Sequence, residues 1–303
     1  MKEVVVQLEN ITKHYGATKA LDGLNLEVQP GELFGLVGVN GAGKTTTLST
    51  VMGFIQSSSG RANVLGFDPW SQASELHKHI AWLPGDVRLP DSLTGLEWLE
   101  YQTSVAGLDR SSLTALAREW EVPLERQMRV LSKGNRQKVA LLRLLIAVNA
   151  RLLVLDEPTS GLDPVAQERL LSSLRDRARA GATVLFSSHS LTEVQTLCDR
   201  VAVIDRGRVL QVGTVAGLTG GTHTLSVWTR DPLPPNGLES WKPHIVTPNH
   251  ATLEGERLLE DAIPKLMPFG IERAEFGGMS LERLLEHSHV RDQAAHGTRE
   301  VAA

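Results

Sequence analysis

The chain has 303 residues, 41% hydrophobic and 22% charged. These are ordinary globular values, which exclude a disordered or fibrous protein and leave length for about two domains. Net charge is −4; residues 218–303 hold 8 Lys+Arg against 12 Asp+Glu, leaving 23 against 23 in residues 1–217, so neither part offers the concentrated basic face of a nucleic-acid binder.

Met1-Lys2-Glu3-Val4 leads directly into an alternating strand pattern, without the basic start, apolar stretch and small-residue cleavage site of a secretion signal. The only cysteine, Cys198, excludes an internal disulfide or a cysteine-clustered zinc site, and both features fit a cytoplasmic chain. The longest apolar stretch, Val139 to Val148, is interrupted by Arg143 and falls short of the ~18 uncharged residues that span a bilayer. Any membrane role is therefore expected to come through a partner.

Short β-branched runs (Val4-Val5-Val6, Leu33 to Val37, Leu152 to Leu155, Thr183 to Phe186, Val201 to Ile204) alternate with helical stretches over residues 1–213. That alternation predicts an α/β domain with a largely parallel sheet. From about 68 to 147 the strand signals thin out, and Thr94-Gly95-Leu96-Glu97 reads as a capping box, so a helical insertion is expected there. Gly213, Gly217, Gly220 and Gly221 mark a composition break, after which seven of the fourteen prolines and six of the ten histidines appear. A first domain over 1–217 and a small α+β domain over 218–303 follow. In the second, Thr222 to Thr229 and Ile271 to Phe276 read as strands, Glu256 to Leu266 and Ser280 to Glu286 as helices, and residues from about 288 as a polar tail.

Gly38-Val39-Asn40-Gly41-Ala42-Gly43-Lys44-Thr45 fits G-x-x-x-x-G-K-[ST], between the apolar run Leu33 to Val37 and the helical run Thr46 to Met52. Glycines in that pattern let backbone N–H groups turn onto a phosphate, the helix start adds partial positive charge, and Lys44 supplies a cation to the β- and γ-phosphates. Thr45 is the expected Mg²⁺ ligand. Further on, Leu152-Leu153-Val154-Leu155-Asp156-Glu157 is an apolar strand ending in two carboxylates: Asp156 is placed to help hold Mg²⁺ and Glu157 to polarise an attacking water. The motif leaves open a kinase, a GTPase, a motor or a transporter engine.

Other stretches, in order around this loop, resemble the ABC ATPase branch of the P-loop NTPase fold. Leu131-Ser132-Lys133-Gly134-Asn135 resembles its LSGGQ-type signature, Ser160-Gly161-Leu162-Asp163 its D-loop, and Ser187-Ser188-His189 its switch histidine, while Tyr15 lies where that family stacks a ring on adenine. The resemblance implies ATP with Mg²⁺ as ligands. It also implies a head-to-tail dimer, in which Ser132, Gly134 and Asn135 of one chain close over the phosphates bound by Gly38 to Thr46 of the other and Asp163 lies beside them. His189 would contact the γ-phosphate. Ser132 also reads as a helix cap, and Asp163-Pro164 as a cap with proline at the first helical position.

Two positions depart from that pattern. The signature has Lys133 and Asn135 for the usual glycine and glutamine, and Gly85 of Ile80-Ala81-Trp82-Leu83-Pro84-Gly85-Asp86 stands where the family's Q-loop glutamine would be. Asp86 is the candidate substitute at the metal. The chain shows neither long heptad arms nor a second P-loop, which argues against a repair ATPase of the SMC type and a tandem translation factor. A single ATPase domain with an acidic appendage ending in Met279 to Leu285 resembles the engines of ABC-2-type exporters, peripheral to the inner membrane face through a transmembrane permease. Importer engines with regulatory tails are the alternative.

Overall fold

The computed structural model describes residues 4–106, 111–219, 223–234, 238–241, 243–255 and 258–278. Ser280 to Glu286, the stretch ending at Leu285 and the tail from residue 288 lie outside the described residues. Two compact units divide between Val212 and Gly213.

In the first unit the chain runs β1 (Val6–Tyr15), β2 (Thr18–Val28), β3 (Leu33–Val37), α1 (Lys44–Val51), β4 (Ser59–Val64), α2 (Ala73–Leu76), β5 (Ile80–Leu83), α3 (Gly95–Ala106), α4 (Ser111–Glu119) and α5 (Lys133–Ile146). It continues through β6 (Leu152–Asp156), α6 (Pro164–Arg179), β7 (Thr183–Ser188), α7 (Leu191–Leu197), β8 (Arg200–Asp205) and β9 (Arg208–Gly213). Strands β5-β6-β7-β3-β8-β9 form one sheet, in which β5, β6, β7, β3 and β8 pair in parallel. Every residue of β3, β6 and β7 is buried, as expected of parallel strands covered on both faces.

A second sheet, β2-β1-β4, is antiparallel. Its inward residues, among them Val6, Leu8, Ile11, Leu21 and Leu24, share one core with Leu48 and Val51 of α1 and with Phe34, Leu36, Leu152 and Val154 of the main sheet. The phosphate-loop helix is thus clamped between two sheets. Because β3 is flanked by the later strands β7 and β8, its carboxyl end opens at a switch in strand order, where α/β sheets bind ligands.

The span 68–147 is less purely helical than its composition suggests. Ile80-Ala81-Trp82-Leu83 forms β5 and pairs with Leu152 to Leu155 of β6, since four apolar residues beside a buried edge gain more as a strand. The capping box is present: Glu97 N–H donates to Thr94 Oγ1 (3.1 Å) and Thr94 N–H to Glu97 Oε2 (2.8 Å).

The second unit contains α8 (Val215–Thr219), β10 (His223–Thr229), β11 (His244–Thr247), β12 (His250–Gly255), α9 (Leu258–Asp261), α10 (Ile263–Leu266) and β13 (Ile271–Gly278). The strands form an antiparallel sheet in the order β11-β12-β10-β13. Leu225, Val227, Ala251 and Leu253 pack under Leu258, Ala262 and Leu266 in a core of their own.

Candidate active site

Residues 38–43 leave the end of β3 and enter α1 at Lys44. Gly43 caps that helix in the left-handed region (φ 110°) and offers no side chain to the first amides. A Cβ there would also lie 3.0 Å from the Ala20 carbonyl of β2, so conformation and space both require glycine. A helix start without a side-chain cap keeps its N–H groups and positive end available to an anion. Lys44 is only 6% exposed; its Nζ donates to the carbonyls of Gly38 (2.8 Å) and Val39 (3.3 Å) and lies 3.3 Å from Glu157 Oε1.

Parallel register supplies the acidic half. Asp156 at the end of β6 pairs with Ser187 of β7, and Ser187 Oγ donates to Asp156 Oδ1 at 2.5 Å while Thr45 Oγ1 donates to Oδ2 at 2.7 Å. Both oxygens of this buried carboxylate are therefore engaged. Glu157 then turns into the left-handed region (φ 48°), which costs a non-glycine residue roughly 1–2 kcal/mol. Its N–H is held by the Ser187 carbonyl (3.2 Å) and hydroxyl (3.0 Å). The turn brings its carboxylate to Lys44 on one side and to His189 Nδ1 on the other.

An open cavity of about 540 Å³ joins these groups, lined by Asn40, Gly41, Gly43, Lys44, Thr45, Thr46, Asp156, Glu157 and His189, with Ala20, Gly85, Asp86 and Ser160. Ser160 and Ser187 are additions to the residues expected from sequence. The signal for Ser187 was the polar pair closing an otherwise apolar strand.

Asp86 also borders the cavity. Its carboxylate accepts from Arg88 Nε at 2.8 Å, with both side chains largely exposed. Gly85 is the residue that abuts the Thr45–Asp156 pair: a Cβ on it would lie 3.3 Å from Asp156 Oδ2. Tyr15 is half exposed at the end of β1, with Lys13 Nζ 5.1 Å above its ring, and does not line the cavity.

Nor do Ser132, Gly134, Asn135 and Asp163 line it; they form a separate cluster. Ser132 caps α5, its Oγ accepting from Asn135 N–H at 3.2 Å. A Cβ on Gly134 would fall 2.8 Å from the Gly161 carbonyl, so the signature backbone lies directly on the loop after Glu157. Gln137 Nε2 donates to the Pro158 carbonyl (3.2 Å), and Lys138 Nζ pairs with Asp163 Oδ2 (2.9 Å). Asp163 caps α6 through Ala166 N–H (2.9 Å), and that bond, followed by the one from Lys138, holds its carboxyl below the usual range. One chain thus carries a complete phosphate loop and, apart from it, a second helix start.

A sequence-family profile described as "ABC transporter" matches residues 21–160. The chain is 32% identical over 220 residues to the linearmycin resistance ATP-binding protein LnrL of Bacillus subtilis (strain 168), covering 71% of this chain and 70% of that protein. The chain belongs to the ABC transporter family. It is an ABC ATPase, an ATP-binding component of that family. It is also 34% identical over 215 residues to the Nod factor export ATP-binding protein I of Cupriavidus metallidurans, covering 69% of this chain and 71% of that one. Identity is 36% over 241 residues to ATP-binding cassette sub-family A member 7 of Mus musculus, covering 74% of this chain; the match spans only 11% of that relative's length. A solved structure of the ATP binding subunit of an ABC transporter aligns with a TM-score of 0.65 at 28% identity, covering 71% of this chain and 92% of that one.

For this ABC ATPase, Ser187→Ala removes the hydroxyl that ties Asp156 to the Glu157 amide. Steady-state kinetics should show kcat/KM lowered by about tenfold, the scale of one lost bond to a buried charge. An unchanged kcat/KM would mean that the Ser187 carbonyl alone holds the turn.

Proposed function

We propose that this chain is the ATP-hydrolysing engine of an ABC-2-type exporter, acting as one of two copies that close head to tail on shared Mg-ATP and drive a separate transmembrane permease. The convergence of Lys44, the Thr45–Asp156 pair and the Glu157–His189 pair in one cavity carries the hydrolytic part of this reading. Lys44 and the first amides of α1 bind the β- and γ-phosphates of ATP. Glu157 orients the attacking water and takes its proton as the bond to the γ-phosphorus forms, ADP leaves, and His189 steadies the γ-phosphate oxygens.

The donor set fits magnesium. Thr45 and Asp156 offer two hard oxygens held 2.7 Å apart, and among the described residues no cluster of three or more His, Cys, Asp or Glu would cage a metal unaided. Mg²⁺ is commonly bound by one or two protein oxygens with phosphate and water completing the shell. When bound, it neutralises charge on the phosphates.

The separate helix start at Ser132, Gly134 and Asn135 supports the head-to-tail pairing, since it would serve a nucleotide on a second copy. The export-named and resistance-named bacterial relatives support the direction of transport. Among the described residues no helix is long and apolar enough to cross a membrane. Coexpression with a candidate ABC-2 permease should move the chain into the membrane fraction and let the two copurify. A chain that hydrolyses ATP yet sediments with none of the candidate permeases would overturn the transport reading and leave the ATPase intact.

A further inference from the structure

We propose that Glu193 is a positioning residue for ATP hydrolysis, a clamp between the segment that follows Glu157 and the strand end that precedes His189. The inference rests on the hydrolytic reading of those two residues. Glu193 lies in the first turn of α7, four positions after His189. Its Oε1 accepts from Thr159 Oγ1 at 2.8 Å and its Oε2 from Ser188 Oγ at 2.6 Å. Thr159 is 5% exposed and Ser188 1% exposed, so neither hydroxyl has water as a ready substitute.

The network encloses His189 from both sides. Ser188 Oγ accepts from Ser190 N–H at 2.8 Å, and Ser190 Oγ caps α7 by accepting from the Glu193 N–H at 3.4 Å. One carboxylate thereby fixes the residues before and after His189 and, through Thr159, the turn two residues beyond Glu157. Those arms are the ones whose ends meet in the Glu157–His189 contact. A carboxylate accepts from both hydroxyls at once; an amide offers one accepting oxygen, so one hydroxyl would have to turn away, Ser188 toward the Ser190 carbonyl at 3.3 Å. Glu193 does not line the nucleotide cavity, so its influence on ATP runs through His189 and Glu157.

Single-turnover kinetics on the full chain test this. Glu193→Ala should lower the hydrolysis rate by about tenfold to a hundredfold, the scale of a misplacement near 1 Å, with the ATP concentration for half-maximal rate changed less than about twofold. Thr159→Val and Glu193→Gln, which preserve volume, should show smaller losses of the same kind and stand in if the alanine variant does not fold. In a His189→Ala background the Glu193 substitution should cost little more, since both act through one arrangement. Losses that multiply fully in the double variant, or a lower melting temperature with an unchanged rate, would overturn the clamp and leave the hydrolytic reading standing. A full rate in His189→Ala itself would remove that residue's hydrolytic role, and the clamp with it.

Discussion

Replacing Glu157 with glutamine is expected to lower ATP turnover by about 10²–10⁴-fold, the contribution of a positioned general base, while ATP binding stays close to wild type. The reason is division of labour within the cavity. Glu157 is one of three acceptors around Lys44 Nζ, beside the Gly38 and Val39 carbonyls, whereas in the proposed mechanism metal and phosphate binding fall to Asp156, Thr45, Lys44 and the start of α1. Glutamine keeps the size of the side chain and the N–H held by Ser187, so what is lost is a negative charge and proton acceptor needed mainly in the transition state. Turnover within a few-fold of wild type would show that another group activates the water.

Lys44→Ala should act one step earlier, weakening ATP binding by about 10–100-fold, the range for loss of a hydrogen bond to a charged group. Equilibrium binding of a fluorescent ATP analogue would measure it. Lys44 is nearly buried, yet its polar partners are loop carbonyls and Glu157, none of them part of the apolar core around Leu48 and Val51. Circular dichroism should therefore remain native. Wild-type affinity in a folded Lys44→Ala protein would exclude this lysine from phosphate binding.

The residues proposed to bind phosphate are legible in the sequence because their chemistry is local. A loop between a buried strand and a helix must contain glycines and a cation at fixed spacing, and that spacing is visible in one dimension. Asp156 and Glu157 were legible for the same reason, as charges closing an apolar strand. Ser187 was not assigned a role because it depends on parallel register: Asp156 and Ser187 face each other only because β6 and β7 align. Glu193 was hidden in the same way, in a helix turn that looks like ordinary capping until Thr159 and Ser188 are seen to share its carboxylate.

The orientation of Asp86 is not legible in the sequence. Adjacency in sequence puts a carboxylate at the cavity wall, but sequence does not tell which way a loop side chain turns, and here it meets Arg88. Likewise β5 was absorbed into the helical insertion, because four apolar residues have no period that separates strand from helix until β6 is beside them. The separation of Ser132, Gly134 and Asn135 from the cavity of the same chain appears only in three dimensions, and it underlies the proposed dimer.

Light scattering after size exclusion on Glu157→Gln, with and without Mg-ATP and with or without Ser132→Arg, tests that shared site most directly. Slow hydrolysis should hold the closed state, so Glu157→Gln should elute as a dimer with Mg-ATP and as a monomer without it. Ser132→Arg should abolish the dimer by placing a bulky side chain at the start of α5, where the opposing γ-phosphate would fit, and should leave ATP binding to the chain's own phosphate loop unchanged. A Glu157→Gln protein that binds Mg-ATP and stays monomeric, or a dimer indifferent to Ser132→Arg, would contradict hydrolysis at a site built from two chains.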